Sequence, residues 1–259
     1  MSEHTGRRKA LIVLHQAHST AGRVGRLLQH AGFDLDIRRP PLGDALPKTL
    51  RGHDAVVVFG GPMSANDSDL WLRREVDWFE IPLIENKPLL GLCLGAQMLA
   101  RCLGARVFDH PDRRCEVGYY PIRPTAAGEG LCSARFPHDV YQWHSDGFDL
   151  PRGAELLATG CGDFPHQAFR YGANAVALQF HPEVTYQMMC RWTTRAADRL
   201  TRPGARPPHE HLDGWRLHDR AVACWLQAFL PRWLDRALPT AGQGAAPAAP
   251  LAAAAYPEV

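Results

Sequence analysis

One stretch constrains the fold more than any other part of the chain: residues 88–100, where an apolar segment of strand length runs directly into a helical pattern. Cys93 stands at the junction, with Gly91 and Gly95 two positions to either side. This G-x-C-x-G spacing is the thiol counterpart of the G-x-S-x-G elbow, in which a nucleophile occupies a strained turn between a strand and a helix that pass closely. The N-terminus of such a helix directs its amides at the sulfur and favours the thiolate. An isolated cysteine is more often a buried structural residue, but the two glycines and the change from strand to helix predict that Cys93 is a nucleophile.

Composition limits the class of protein. The chain has 259 residues, of which 46% are hydrophobic and 22% charged, and its net charge is +2. These values predict a soluble globular protein with one large domain, alone or with an extension. They give no reason to expect nucleic acid or a membrane as a partner.

The cysteines indicate the compartment. All 7 form an odd set without a C-x-x-C pair, which argues against a disulfide framework and against a cysteine zinc site. No apolar segment of signal-peptide length opens the chain, and no run approaches about 18 apolar residues. We therefore expect a cytoplasmic protein in a reducing compartment.

The first half of the chain alternates between strands and helices, which predicts an α/β fold. A mostly parallel central sheet would be covered by helices on both faces. The loop at Gly60-Gly61 and the elbow at Cys93 would then meet at the carboxyl edge of the sheet, where ligands gather in such folds. The predicted strands are 9–14, 33–37, 54–59 and 88–92, and the predicted helices are 21–30, a segment from about 68 that Pro82 kinks or ends, and 94–103.

From residue 106 onward the pattern changes to shorter strands separated by turns, so we expect a more antiparallel second half on the same core. The predicted elements here are strands at 117–122, 155–159, 167–171 and 175–180, a helix at 185–200, a proline-rich loop at 202–213 and an amphipathic helix at 217–233. We divide the chain into a domain of residues 1–200, a helical extension of residues 201–238 packed on it, and a disordered tail of residues 239–259.

A thiol nucleophile needs a base, and the chain has 13 histidines. His181 follows a predicted strand, and Glu183 is placed to orient its imidazole. His144, with Asp146 two residues on, is the alternative, and a solvated loop histidine is the default interpretation of a random H-P-E. The spacing favours His181 and leaves His144 open.

Three motifs, taken together and in this order, resemble those of the class I glutamine amidotransferases: Gly60-Gly61-Pro62, Gly91-Leu-Cys93-Leu-Gly95-Ala-Gln97 and Gln179-Phe-His181-Pro-Glu183. Segments 115–120, 143–151 and 166–170 are similar to stand-alone members that resemble the glutaminase domain of GMP synthase. The resemblance covers roughly residues 9–186.

The resemblance implies a flavodoxin-like class I glutaminase fold and a catalytic triad of Cys93, His181 and Glu183. Cys93 would attack the side-chain amide of glutamine to give a γ-glutamyl thioester and ammonia, and His181, oriented by Glu183, would act as acid and then as base. Backbone N–H groups of Gly61 and Leu94 would stabilise the oxyanion. The implied substrate contacts are Gly60, Gln97, Gly118, Tyr119, His144 and Asp146; for His144 and Asp146 a local turn network is an equally good interpretation.

Several functions stay open. The chain is a glutaminase that releases ammonia for a separate synthetase, a self-sufficient γ-glutamyl peptide hydrolase, or a non-catalytic regulatory or binding module on the same fold. A heat-shock-type cysteine hydrolase is disfavoured by the H-P-E after a late strand. His209-Glu210-His211 lacks the spacing of a helical zinc motif, and no G-K-[ST] loop is present, so we predict neither a metal nor another cofactor.

Overall fold

The structure, a computed structural model, describes residues 7–235. The strands within this range are β1 (Arg8–Val13), β2 (Phe33–Arg38), β3 (Ala55–Val58), β4 (Leu89–Leu92), β5 (Val107–Asp109), β6 (Glu116–Pro124), β7 (Asp139–His144), β8 (Asp146–Phe148), β9 (Glu155–Gly160), β10 (His166–Tyr171) and β11 (Ala175–Leu178). The helices are α1 (Gly22–His30), α2 (Leu70–Trp78), α3 (Glu80–Ile84), α4 (Leu94–Cys102), α5 (Ala126–Glu129), α6 (Tyr186–Arg195) and α7 (Pro208–Leu234).

Within the described range, nine strands form one sheet in the order β2-β1-β3-β4-β11-β10-β9-β6-β7. The strands from β2 to β11 run parallel, and every pair beyond β11 is antiparallel. Strands β5 and β8 form a separate antiparallel pair. The predicted α/β fold, mostly parallel at one end and more antiparallel in its second half, is confirmed.

The parallel strands are apolar because both of their faces are buried. Every residue of β3, β4 and β11 is buried. One face packs against α1 and α7, with Trp225 and Phe229 of α7 in the core. The other face packs against α2 and α4. Since these strands point the same way, the loops that follow β1, β3, β4 and β11 all begin at one edge of the sheet.

The C-terminal helix is longer than predicted. The segment 202–213, predicted as a loop, contributes the first turns of α7, which begins at Pro208. A proline is tolerated at the first helical position because its missing N–H has no partner there in any helix. Gly214 lies within α7 where Tyr119 packs against it, and a Cβ at this position would be 2.3 Å from Cδ2 of Tyr119. These first turns bury few apolar side chains, which is why periodicity shows the helix only from about residue 217.

One further helix boundary differs from the prediction, and the predicted effect of Pro82 is observed. The helix predicted over 185–200 ends at Arg195 and continues as a 3-10 turn over Ala197–Thr201. The helical segment is interrupted between α2 and α3, after Trp78, which is four residues before Pro82. The break fits the clash of a proline ring with the carbonyl group four residues earlier.

Strands β5, β7 and β8 were not predicted, because their alternation is weak and their pairing is decided by distant partners. The division into residues 1–200 and 201–238 stays a prediction, although α7 shares its core with the sheet. The predicted tail, 239–259, lies outside the described residues. Within residues 7–235, no helix combines the length and the apolar character that a membrane span requires.

Candidate active site

Cys93 occupies the sharp turn between β4 and α4. Its backbone has φ 51° and ψ −105°, in the region that non-glycine residues rarely adopt. A Cβ at Gly91 would lie 2.6 Å from the carbonyl oxygen of Gly95, and a Cβ at Gly95 would lie 2.2 Å from that of Val58. The two glycines therefore let β4, α4 and β3 approach closely enough to hold Cys93 in this strained conformation.

His181 lies near the same sheet edge because β11 is the parallel neighbour of β4, with Leu178 opposite Leu92. Its Nδ1 is 2.8 Å from Oε1 of Glu183, and both side chains are buried. Because the carboxylate only accepts, Nδ1 donates the hydrogen bond. This leaves Nε2 as the atom that can exchange a proton.

The charge of His181 is set by its neighbours. Burial lowers the pKa of this imidazole, but the negative charges of Glu183 and of a Cys93 thiolate, with the hydrogen bond to Glu183, raise it to about 10. Nε2 makes no geometrically sound hydrogen bond to a described residue, and Sγ of Cys93 contacts the carbonyl oxygen of Trp143 at 3.9 Å. The sulfur therefore acts on the imidazole chiefly through its charge. The arrangement holds a protonated imidazole near the sulfur of Cys93.

The Gly60-Gly61 loop follows β3 and lies against both groups. A Cβ at Gly60 would be 2.8 Å from Cε1 of His181 and 3.7 Å from Sγ of Cys93. The N–H of Gly61 finds no acceptor among the described residues. Leu94 is the first residue of α4, so its N–H lacks an intrahelical acceptor. Two unpaired backbone donors thus flank the elbow.

A second buried histidine–carboxylate pair supports this loop, and it was not predicted. Nδ1 of His15 is 3.1 Å from the carbonyl oxygen of Gly60, and Nε2 is 2.9 Å from Oε1 of Glu75. Because both partners accept, the ring donates from both nitrogens and is protonated. Burial lowers the pKa of His15, but the charge and hydrogen bond of Glu75 raise it above its ordinary value.

A signal for this pair exists in the sequence. His15 follows a parallel strand as His181 does, and Glu75 falls on the apolar face of a predicted helix, three residues after Leu72. A lone carboxylate on such a face indicates a buried partner. The identity of that partner does not follow from the pattern.

A cavity of about 270 Å³ opens over Cys93. This volume is near the lower end of ligand-binding cavities, so an amino-acid-sized substrate fits it. Of the residues predicted for the site, Gly60, Gly61, Cys93, His181 and Glu183 line the cavity. The described residues in its wall do not include Leu94, Gln97, Gly118, Tyr119, His144 or Asp146.

Gln97, His144 and Asp146 form a polar network behind the elbow. The Gln97 amide donates to the carbonyl oxygen of Asp146 at 2.9 Å, as does Nδ1 of His144, also at 2.9 Å. Nε2 of His144 is 3.1 Å from Oε2 of Glu116. The carboxylate that pairs with His144 is therefore Glu116, and not Asp146 as its position two residues on suggested. Burial raises the pKa of Asp146.

Gly118 and Tyr119 lie on β6, under the C-terminal segment. A Cβ at Gly118 would be 2.6 Å from Cγ of Arg206. The ring of Tyr119 makes an edge contact with that of Tyr141, with 5.2 Å between the centroids. Gly118 thus lies against the segment that precedes α7, and Tyr119 also packs against Gly214 of α7.

Helix α6 supplies cavity residues that sequence reasoning missed. The ring of Trp192 packs edge-on against His181, with 4.9 Å between the centroids, and Trp143 contacts Trp192 at 5.7 Å. Arg191, Arg195 and Arg199 also line the cavity. Their spacing of four residues, visible in the sequence, was the available signal.

A thiol on a strained turn, with a protonated histidine and its carboxylate in the loop after the neighbouring parallel strand, has the parts that nucleophilic catalysis by cysteine requires. The presence of these parts at the carboxyl edge of the sheet is typical of α/β proteins with a cysteine nucleophile.

Comparison with known proteins gives the family. The chain belongs to the class I glutamine amidotransferases, whose family model matches residues 17–190. It is 32% identical over 190 residues to the glutamine amidotransferase-like protein YfeJ of Salmonella typhimurium, covering 68% of this chain and 76% of that protein. The predicted resemblance is confirmed.

Two further relatives were compared. A GMP synthase of Porphyromonas gingivalis is 34% identical over 181 residues, which are 67% of this chain and 33% of the synthase, so the match spans about one third of that enzyme. The crystal structure of a glutamine amidotransferase from Thermotoga maritima is 30% identical, with a TM-score of 0.77 over 89% of this chain and 99% of that one.

Proposed function

We propose that this protein hydrolyses the side-chain amide of glutamine through a thioester on Cys93. The observation that carries the proposal is the convergence of Cys93, His181 and the Gly60-Gly61 loop on one cavity. The family, whose members are named glutamine amidotransferases, supplies the substrate class.

The chemistry assigns one role to each group. The Cys93 thiolate attacks the amide carbon, and the oxyanion that forms is stabilised by the N–H groups of Gly61 and Leu94. His181 gives its proton to the departing ammonia, which leaves the γ-glutamyl group on sulfur. His181 then takes a proton from water, which attacks the thioester and releases glutamate and the thiolate. Glu183 keeps the imidazole oriented throughout.

The released ammonia goes, in our proposal, to a separate synthetase. The chain matches about one third of the length of a GMP synthase that is named as a glutamine-hydrolyzing enzyme. A glutaminase of this kind works slowly by itself and faster when docked to its synthetase with acceptor present. A second candidate, a self-sufficient γ-glutamyl peptide hydrolase, is favoured by the arginines that line the cavity.

We place this activity in the cytoplasm. All seven cysteines are free thiols, of which Cys161, Cys190 and Cys224 are exposed. Exposed thiols persist in a reducing compartment.

The test is release of glutamate by the pure protein from glutamine and from γ-glutamyl dipeptides, with and without a lysate from its source. Turnover of glutamine that the lysate stimulates supports the partnered glutaminase. Brisk turnover of a dipeptide with no lysate effect supports the peptide hydrolase. No release from any γ-glutamyl compound, with or without lysate, contradicts the proposed hydrolysis.

A further inference from the structure

The cavity over Cys93 has a positive wall. Arg191, Arg195 and Arg199 line it, and the carboxylate present among its described lining residues is Glu183, which is already paired with His181. Arg191 and Arg195 are one turn apart on α6 and therefore share a face of this helix. Arg199 lies in the 3-10 turn after α6 and lines the same cavity.

Two of the arginines reach across the cavity to its loops. Nη1 of Arg191 donates to the carbonyl oxygen of His18 at 3.4 Å, and Nη2 of Arg199 donates to that of Pro62 at 3.1 Å. Both acceptors are neutral, so neither bond is an ion pair. The side chain of Arg195, which is exposed, makes no hydrogen bond or ion pair with any residue in the range 7–235.

A helix C-terminus attracts cations in any protein. This attraction accounts for positive charge near the end of α6. It does not account for three arginines that all line one cavity without a carboxylate partner. A planar guanidinium binds carboxylates through paired hydrogen bonds, so a substrate carboxylate is the natural counterpart.

The position of α6 indicates which part of the substrate the arginines face. Trp192 of this helix packs against His181, so the helix lies on the His181 side of Cys93. In the proposed hydrolysis, His181 protonates the departing amine, which must therefore lie on this side too. The arginines of α6 therefore lie on the side of the departing amine.

We propose that Arg191, Arg195 and Arg199 form a subsite for a carboxylate on the amine part of a γ-glutamyl substrate, as in a γ-glutamyl amino acid. This inference rests on the proposed function, since it uses the role of His181 in hydrolysis. Glutamine, whose amine part is ammonia, does not fill the subsite. A γ-glutamyl amino acid fills both the glutamyl site and the subsite.

The test compares two ligands that differ in one charge, γ-glutamylglycine and γ-glutamylglycinamide. Calorimetric titration of the full-length Cys93→Ala protein, which cannot turn them over, gives both affinities. We expect the acid to bind about tenfold more tightly, the gain of a charge-assisted hydrogen bond. Arg195→Gln should remove most of this preference, and Arg195→Lys should keep part of it. Arg152→Gln, an exposed arginine outside the cavity wall, is the matched control and should keep all of it.

Equal affinities for the acid and the amide would overturn the subsite. A loss in Arg195→Gln that is equal for glutamine, the acid and the amide would also overturn it, because it would place Arg195 on the glutamyl part. Turnover by the unmodified protein is measured in parallel. If the protein shows the binding preference yet cleaves none of these compounds, with or without the lysate of its source, the subsite stands and the proposed hydrolysis fails.

Discussion

Nδ1 of His181 lies 2.8 Å from Oε1 of Glu183, and both side chains are buried on the carboxyl side of β11. The carboxylate holds a proton on the imidazole that burial alone would expel. This relationship has consequences for stability as well as for chemistry.

The first consequence is a decline of stability in alkali. The folded protein raises the pKa of His181 from an ordinary 6.5 to about 10. The folded state thus binds this proton more tightly than the unfolded chain does. The resulting stabilisation is fully present below about pH 6.5 and is lost as the pH rises through about 10. Glu183→Gln should flatten the fall of the melting temperature over this range.

In Glu183→Gln the melting temperature should still fall somewhat as the pH rises. The reason is His15, whose pKa is also raised in the folded protein and whose proton therefore stabilises the folded state in the same way. The melting temperatures of the unmodified protein and of Glu183→Gln are measured across this pH range. Parallel curves for the two proteins would show that Glu183 does not hold the proton on His181.

The second prediction separates the two candidate bases. His181→Ala should lower kcat by about 10² or more, the usual effect of removing a positioned acid–base group. His144→Ala should leave kcat within a few-fold, because His144 pairs with Glu116 and does not line the cavity. It should instead lower stability, because the buried Glu116 carboxylate would keep only its hydrogen bond from Gln167. Steady-state kinetics and urea unfolding of both variants measure this, and the opposite pattern would transfer the role of base to His144.

The third prediction concerns the elbow glycines. Alanine normally stabilises a helix relative to glycine by about 1 kcal/mol. Gly95→Ala should nevertheless destabilise the protein, by about 1–3 kcal/mol, because its Cβ would lie 2.2 Å from the carbonyl oxygen of Val58. Gly52→Ala is the control, since a Cβ there meets no atom within 4 Å. Urea unfolding that finds Gly95→Ala as stable as the control would contradict the close packing of α4 on β3.

The fourth prediction concerns the pair beneath the Gly60-Gly61 loop. Glu75→Ala should lower the free energy of unfolding by about 3 kcal/mol, because it removes one member of a buried pair. It should also lower kcat, since His15 bonds to the Gly60 carbonyl oxygen. The matched change in an exposed pair, Asp149→Ala opposite Arg106, should cost under about 1 kcal/mol. Equal losses in the two variants would show that the buried pair has no special part in holding the loop.

The sequence alone predicts the candidate site residues that directly follow strands. Cys93 and His181 each follow an apolar strand, and because β4 and β11 are parallel neighbours, their loops meet at one sheet edge. The spacing of Gly91 and Gly95 predicts that the strand and the helix pass closely at the elbow, and the structure shows this close passage.

The features that were missed depend on contacts between distant parts of the chain. His15 and Glu75 are 60 residues apart, and no local pattern pairs them. The first turns of α7 exist because Gly214 fits against Tyr119 of β6, which periodicity cannot show. The arginines of α6 look like a solvated helix face until the helix is placed beside the cavity.

The most direct test of the account is whether Cys93 carries a γ-glutamyl group during turnover. The pure protein would be mixed with glutamine, quenched in acid within one turnover, digested and examined by mass spectrometry. We predict a γ-glutamyl group on the peptide that contains Cys93, and none on the peptides that contain the exposed Cys161, Cys190 and Cys224. We also predict no adduct and no glutamate release in Cys93→Ala. Release of glutamate by Cys93→Ala at the unmodified rate, or an adduct on another cysteine, would contradict the account.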